Sequence, residues 1–302
     1  MISFFTTAKP FSGHSRIIQR NALQSWKRLH PDVEVILFGD DPGAAEVSAE
    51  LGLRHHPEVQ CNEYGTKRLG YMFARAQDIA RHDLLCYINC DIILFKDFAR
   101  ALARVHAAHS SFLMVGRRWD IDIDHPIDFH EHGVDERLQQ LALQKGVLRT
   151  PDAVDYFAFP RGLYEDVPEL VVGRIWWDHW LVWKARQLRA DVVDVSRQVT
   201  AIHQNHGYAY HPAGAKGVWQ DEQAFRNYQL AGGKWHLYTI ADATHILDTD
   251  TEHRNAKRFF APYWRVLRPK LIPAWFAFLD LSRPVRHFLG LRPSKVRAEN
   301  FF

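Results

Sequence analysis

The feature that most constrains this fold is an apolar run over residues 84–94, LLCYINCDIIL. A run without polar alternation is typical of a strand buried on both faces of a parallel sheet. Asn89 and Asp91 interrupt it, and residues at i and i+2 of a strand point to the same side. A buried carboxylate is costly unless it is paired or binds a metal. The run therefore predicts a central parallel strand that ends in a polar or metal-binding site.

Strand and helix patterns alternate on either side of this run. The predicted strands cover residues 2–7, 33–39, 112–116 and 155–160, with one or two more within 190–202, and the predicted helices cover 15–30, 44–51, 66–81, 97–109 and 176–188. This order predicts an α/β fold, a doubly wound, mostly parallel sheet with helices on both faces. Residues 204–251 are rich in Gly, His and Tyr, and we expect loops around a site there.

Composition excludes several classes of protein. Of the 302 residues, 47% are hydrophobic and 24% are charged, which is typical of a globular chain and excludes disordered, collagenous and multi-span membrane proteins. The net charge of +3 is too small to indicate a nucleic-acid partner. Three cysteines and an N-terminus without a signal-peptide pattern predict a reduced, cytoplasmic protein.

Six further motifs accompany the Asn89-Cys90-Asp91 segment in a fixed order. They are TTAKPF at 6–11, FGDD at 38–41, GRRWD at 116–120, DYFAFPRG at 155–162, WDHW at 177–180 and AIHQNH at 201–206. With them, the segment resembles the metal-binding Asp-x-Asp strand of bacterial GT-A glycosyltransferases, with Asn89 in place of the first Asp. The resemblance covers residues 1–245 and implies a GT-A-like fold.

The resemblance implies a metal site at the end of the strand. Asp91 would bind a divalent cation, His203 or His206 would add a nitrogen ligand, and Asn89 would offer an oxygen to the site. Mn²⁺ or Mg²⁺ is the expected cofactor, and a nitrogen ligand favours Mn²⁺. The alternatives are a strand-end Asp that accepts backbone hydrogen bonds and histidines that are only hydrogen-bonded.

The resemblance places a nucleotide at the strand ends and at nearby basic residues. The residues predicted to contact it are Thr6, Thr7, Lys9, Asp40, Arg68 and Arg117. A helix start beside Arg68 would favour a phosphate. For each of these residues the alternative is ordinary surface solvation.

Asp178 is the predicted general base, since inverting members of the resembling family use an Asp or Glu at this point. It lies at a helix start among Trp176, Trp177, Trp180 and Trp183, and aromatic faces suit sugar rings. A carboxylate there would take the proton of an acceptor hydroxyl. The alternative is a helix-start Asp stabilised by the helix dipole beside core tryptophans.

The C-terminal residues differ in composition from the rest of the chain. Residues 258–302 hold nine Lys and Arg against two Asp and Glu, interleaved with aromatic residues. We therefore expect a catalytic domain over 1–253 and a basic-aromatic extension over 254–302. The extension either lies on an anionic membrane surface, at the inner face of the membrane, or packs on the body.

The function implied is transfer of a sugar from a UDP- or GDP-sugar to a glycan or lipid-linked acceptor, in bacterial surface polysaccharide synthesis. Two alternatives stay open: a nucleotidyltransferase that makes the nucleotide-sugar, and a non-catalytic binding module of the same fold. The sequence has no dinucleotide fingerprint after the first strand, no P-loop and no nucleophile elbow, so those classes lose support.

Overall fold

The computed structural model describes residues 1–207, 218, 221–249, 251–259 and 281. Contacts within the chain define one compact unit over Met1–Arg258 and a second over Phe259–Phe302. The predicted role of the extension lies outside the described residues. In the part of the chain that is described, no helix is long and apolar enough to cross a membrane.

Two sheets form the framework of the first unit. The main sheet consists, within the described residues, of β1 (Ile2–Thr7), β2 (Glu34–Phe38), β3 (Arg54–His56), β4 (Leu84–Ile88), β6 (Phe112–Val115), β9 (Tyr156–Pro160), β10 (Asp191–Asp194), β12 (His245–Leu247) and β13 (Glu252–Arg254). Its order is β13-β12-β10-β6-β9-β4-β1-β2-β3, and only β9 and β13 run against the others. The small sheet has the order β5-β11-β7-β8, formed by β5 (Ile92–Ile93), β7 (Arg118–Ile121), β8 (Val147–Leu148) and β11 (Ala201–Gln204).

Helices cover both faces of the main sheet. The described helices are α1 (Gly13–Lys27), α2 (Ala44–Leu51), α3 (Leu69–Ile79), α4 (Lys96–Ala108), α5 (Val134–Lys145), α6 (Trp177–Gln187) and α7 (Glu222–Leu230), with short 3₁₀ turns at Lys234–His236, Ile240–Asp242 and Ala256–Phe259. Successive residues of β1 show the two faces. Phe4 packs on Trp26 of α1 and Phe98 of α4, whereas Phe5 packs on Phe73 of α3. The predicted α/β class, a mostly parallel sheet covered on both faces, is confirmed.

The apolar run over 84–94 does not form one strand, as the sequence predicts, but two. β4 ends at Ile88, and β5 pairs antiparallel with β11 in the small sheet. The break falls at the two polar residues. The backbone N–H of Asn89 donates to the carbonyl of Asp155, and the carbonyl of Asn89 accepts from Ile92 in a turn. The chain therefore leaves the main sheet at the position that carries the carboxylate.

The expectation of loops over 204–251 is wrong in part, because α7 lies within that segment. Its first turn is capped by Asp221, whose carboxylate accepts from the N–H of Ala224 at 2.7 Å. Two elements that the sequence reading missed, β7 and α5, support the small sheet. β7 is short and α5 is only weakly amphipathic, so neither has a strong hydrophobic pattern in the sequence.

Trp26 ties α1 to the break between the two sheets. The side chain is fully buried, stacks on Phe4, and its indole N–H donates to the carbonyl of Ile92 at 2.7 Å. We expect Trp26→Ala to lower the free energy of unfolding by about 3–5 kcal/mol, because it removes a large core side chain and leaves a buried carbonyl unpaired. Urea unfolding measures this. Trp235 is exposed and provides the control, so the stability of Trp235→Ala should stay within about 0.5 kcal/mol of the wild type. An equal loss of stability in both variants would contradict the role of Trp26 in joining α1 to the break between the sheets.

Candidate functional site

The candidate site begins where β4 ends. Asp91, His203 and His206 each place one ligand atom within 4.8 Å of the others. Nε2 of His206 lies 3.0 Å from Oδ2 of Asp91, and Nε2 of His203 lies 3.8 Å from the same oxygen. The pairing of His203 with Ile92 explains the approach, because β5 follows Asp91 directly. The structure thus brings all three predicted metal ligands together.

The second oxygen of Asp91 distinguishes this cluster from a simple ion pair. Oδ1 is buried and has no hydrogen-bond partner among the described residues. Burial acts to raise the pKa of Asp91, but His203, His206 and the ammonium of Lys9 outweigh it and hold that pKa well below the ordinary range. The carboxylate is therefore ionised at neutral pH. An ionised carboxylate with a free oxygen beside two imidazoles suits a divalent cation.

Gln204 positions Asp91, and the sequence reading missed it. The side chain is fully buried, and its Nε2 donates to the carbonyl of Asp91 at 3.1 Å and to that of Ile18 at 2.8 Å. Its Oε1 accepts from Asn21 at 2.9 Å. The sequence contains a pattern that could have identified it. Gln204 follows His203 on β11, and because successive residues of a strand point to opposite faces, Gln204 must face away from the predicted metal site. Asp91 is thereby fixed to the same strand as His203.

Asp155 anchors a chain of charged groups behind the metal ligands. It is buried, accepts from Nδ2 of Asn89 at 2.7 Å, and forms an ion pair with Arg118. Arg118 also pairs with Asp120, whose Oδ1 lies 3.2 Å from Nδ1 of His203. The amide of Asn89, predicted to offer an oxygen to the site, turns its nitrogen to Asp155. An aspartate at position 89 would instead place two carboxylates in contact.

Asp178 lies at the start of α6, beside a strained backbone. Trp176, the preceding cap residue, has a φ of 89°, a region that non-glycine residues rarely adopt. Oδ1 of Asp178 is buried without a partner, and Oδ2 lies 3.8 Å from Nε2 of His179. Burial raises the pKa of Asp178, His179 partly offsets this, and the charge of Asp155 adds to it. A carboxylate with a raised pKa has the electrostatics of a proton acceptor.

The tryptophans around Asp178 belong mostly to the core. Trp177 contacts Tyr87 and Phe157, and both Trp177 and Trp180 are buried. Trp176 is half-buried, with its ring edge toward His179. Of the four tryptophans predicted as sugar platforms, Trp176 and Trp183 keep part of their surface accessible.

A second polar group lies at the carboxyl ends of β1 and β2. The ammonium of Lys67 donates to Oγ1 of Thr7 at 2.8 Å and to the carbonyl of Ala8 at 3.1 Å, and it forms an ion pair with Asp41. Asp40, the predicted residue, is exposed instead. The inward carboxylate at the end of β2 is Asp41. The two neighbouring aspartates are not distinguishable from sequence alone, because only the turn at Gly39 decides which one faces Lys67.

Lys9 links this group to the metal ligands. Its backbone N–H and carbonyl are both held by the side-chain amide of Gln19, at 2.6 and 2.9 Å. Burial lowers the pKa of Lys9, and the carboxylate of Asp91 partly offsets that effect. The ammonium therefore lies within electrostatic reach of Asp91, at the edge where Thr7 also lies.

Three residues predicted to contact the nucleotide use their side chains in contacts with other protein groups. The hydroxyl of Thr6 is buried and donates to the carbonyl of Ile88 at 2.6 Å. Arg68 forms an ion pair with Glu169. Arg117 donates from Nε to the carbonyl of Arg149. In the last case the neighbouring Arg118, one position along the chain, is the arginine that the structure brings to the site.

The comparisons with known proteins concern the fold. No family model matches the chain, and no curated protein sequence matches it. It is similar to the crystal structure of glucosyl-3-phosphoglycerate synthase from Mycobacterium tuberculosis in complex with Mg²⁺ and UDP, at a TM-score of 0.43 and 16% identity, over 68% of this chain and 72% of that chain. It is also similar to S. aureus TarS 1-349 in complex with UDP-GlcNAc, at a TM-score of 0.44 and 13% identity. That match covers 68% of this chain and 58% of TarS 1-349, so this chain spans little more than half of it. The first unit has an α/β fold with a mostly parallel sheet, as the sequence predicts.

The raised pKa of Asp178 predicts how stability depends on pH. The folded chain holds this proton more tightly than the unfolded chain, so the ionised carboxylate costs stability as the pH rises from about 4 through its raised folded value. We expect Asp178→Asn to increase the free energy of unfolding at pH 7, and the gain to vanish below about pH 4. Urea unfolding across this range measures both proteins.

Asp135, in the first turn of α5, is the matched control for a helix-start aspartate. It is paired with Arg28 and has no buried, unpartnered oxygen among the described residues. Asp135→Asn should reduce stability at pH 7 by up to about 1 kcal/mol. A loss of stability in Asp178→Asn as well would mean that Asp178 only stabilises its helix.

Proposed function

We propose that this chain is a metal-dependent glycosyltransferase that takes a sugar from a UDP- or GDP-sugar. The observation that carries the proposal is the cluster of Asp91, His203 and His206, in which a buried carboxylate oxygen has no partner in the described part of the chain. It lies at the carboxyl end of the central strand β4, where open α/β sheets bind their ligands. These three side chains would hold Mn²⁺ or Mg²⁺.

Asp91, His203 and His206 would hold the cation, which would supply Lewis-acid stabilisation of the charge that develops on the diphosphate leaving group. The other roles fall to the side chains around it. The ammonium of Lys9 offers a second positive charge on the same edge. Thr7, Asp41 and Lys67 form the polar group at the ends of β1 and β2, and we assign the ribose and base of the donor to it. Arg118 and Asn89 would hold Asp155 in place behind the proposed metal ligands.

Asp178 would accept the proton of the acceptor hydroxyl as that oxygen attacks the anomeric carbon of the sugar. Its raised pKa suits this role, because a base works best when its pKa lies nearer the operating pH. A glycan or a lipid-linked sugar is the acceptor class that we propose, with bacterial surface polysaccharide synthesis as the setting. The acceptor would approach beside Trp176, which keeps part of its ring accessible.

Removal of the metal carboxylate should abolish metal-dependent nucleotide binding. We expect Asp91→Asn to fold and to weaken UDP binding in the presence of Mn²⁺ by about 100-fold or more, since even residues that only orient metal ligands contribute 10–100-fold. Calorimetry with UDP or GDP, with and without Mn²⁺, measures it. Asp124→Asn is the matched control, because Asp124 is 94% exposed and lies outside the cluster. Metal-dependent binding that survives in Asp91→Asn would refute the metal site.

Removal of the proposed base should slow sugar transfer and leave donor binding unchanged. We expect Asp178→Asn to bind UDP and Mn²⁺ nearly as the wild type does, and to lose about 10²–10⁴-fold in the rate of sugar transfer. A screen of nucleotide-sugars identifies the donor, and release of the nucleoside diphosphate gives the rate. If the wild type binds UDP with Mn²⁺ but turns over no donor, the chain is a binding module. If Asp178→Asn retains most of the rate, another group takes the proton.

A further inference from the structure

A second group of ligand-type side chains lies at the opposite edge of the main sheet. Asp191 and His245 are the first residues of the parallel strands β10 and β12, so they lie at the amino ends, away from the candidate site. Val193 pairs with His245, and His245 pairs with Arg254. Because alternate residues share a face, Asp191, His245 and Glu252 all point to the same side of the sheet.

His109 lies over this face at the end of α4. Its Nδ1 is 2.9 Å from Oδ2 of Asp191, and its Nε2 is 2.6 Å from Oε1 of Glu252. The side chain is only 9% exposed. One ligand atom from each of His109, His245 and Glu252 lies within 4.8 Å of the other two. The end of a helix and two strands of the sheet edge thus meet in one group of potential ligands.

A threonine holds the second histidine in place. The hydroxyl of Thr244 lies 2.9 Å from the carbonyl of Val192 and 2.8 Å from Nδ1 of His245. Nδ1 of His245 is therefore engaged with Thr244, and Nε2 is the ring nitrogen that this contact leaves for a metal ion.

We propose that His109, His245 and Glu252 bind a zinc ion. Two imidazoles and one carboxylate are a ligand set that zinc uses when a fourth position stays open. Asp191 completes the arrangement, because a carboxylate that accepts from Nδ1–H of a ligating histidine fixes its tautomer and leaves Nε2 for the metal. The site is independent of the Asp91 cluster. In the strand order, β9 and β6 separate β4 from β10.

The bound ion would fasten the β12–β13 hairpin to the end of α4. These strands are the last of the first compact unit, which ends at Arg258. Without a metal, His109 bridges Asp191 and Glu252 by hydrogen bonds. The metal-free and zinc-bound states differ in what joins His109 to Glu252. In the metal-free state it is a hydrogen bond, and in the zinc-bound state it is the zinc ion. Metal binding and metal-dependent stabilisation distinguish them.

Zinc titration of the full chain tests the proposal. Asp91→Asn weakens metal binding at the Asp91 cluster. Calorimetry on that variant therefore measures zinc binding at His109, His245 and Glu252. We expect about one zinc ion per chain, and an affinity at least about 10-fold lower when His245→Gln or Glu252→Gln is added. His253→Gln is the matched control, since His253 is exposed and lies on β13 between Glu252 and Arg254. Circular dichroism confirms that each variant is folded.

Thermal unfolding provides a second measurement that does not need the Asp91→Asn background. Zinc should raise the melting temperature of the wild type and of His253→Gln, and the increase should be smaller in His245→Gln and in Glu252→Gln. Two results would overturn the proposal. One is the absence of zinc binding in Asp91→Asn, and the other is zinc binding that both His245→Gln and Glu252→Gln leave unchanged. Either would mean that His109 only bridges Asp191 and Glu252 by hydrogen bonds.

Discussion

The ion pair between Arg118 and Asp155 is the interaction on which the arrangement of the site depends. Asp155 precedes β9 of the main sheet, and Arg118 begins β7 of the small sheet, so the pair joins the two sheets through one buried contact. Burying these charges costs several kcal/mol for each ion, and the cost is offset only by good geometry and further hydrogen bonds. Asn89 and Asp120 supply those bonds. The residues that satisfy the pair are the same ones that line the candidate site.

The two acidic residues assigned to chemistry have opposite electrostatic environments. Asp91 faces two imidazoles and an ammonium, which hold its pKa down, whereas removal from water raises the pKa of Asp178 and the charge of Asp155 adds to this. One carboxylate is thereby kept ionised for a cation, and the other is brought nearer to the range where it can exchange a proton. Separation of two carboxylates by environment is how one site performs both kinds of task.

The sequence predicted the sheet and the grouping of Asp91, His203 and His206 better than it predicted which polar residues face inward at the strand ends, for physical reasons. A buried strand appears in the sequence as a hydrophobic run, and a polar residue that interrupts it stands out. This is why β4 and the position of Asp91 at its end could be predicted. Residues 203 and 206 were predicted from motif order, and the pairing of β11 with β5 brings them to Asp91. By contrast, whether Asp40 or Asp41, or Arg117 or Arg118, faces inward depends on the rotation of the chain at a turn. Long-range partners such as Asp155 for Asn89 leave no trace in local spacing.

The break in the apolar run has a mechanical consequence. The backbone of Asp91 is tied to Gln204 of β11, and His203 belongs to the same strand, so these two proposed metal ligands are held by the small sheet. Asp178 is carried by α6, which packs on the main sheet. A shift of one sheet against the other would leave Asp91 and His203 together and change their distance from the proposed base. The distance between the proposed metal ligands and the proposed base therefore depends on how firmly the two sheets are packed together, and Ile92 and Ala201 of the small sheet share one apolar cluster with Phe4 and Ile88 of the main sheet.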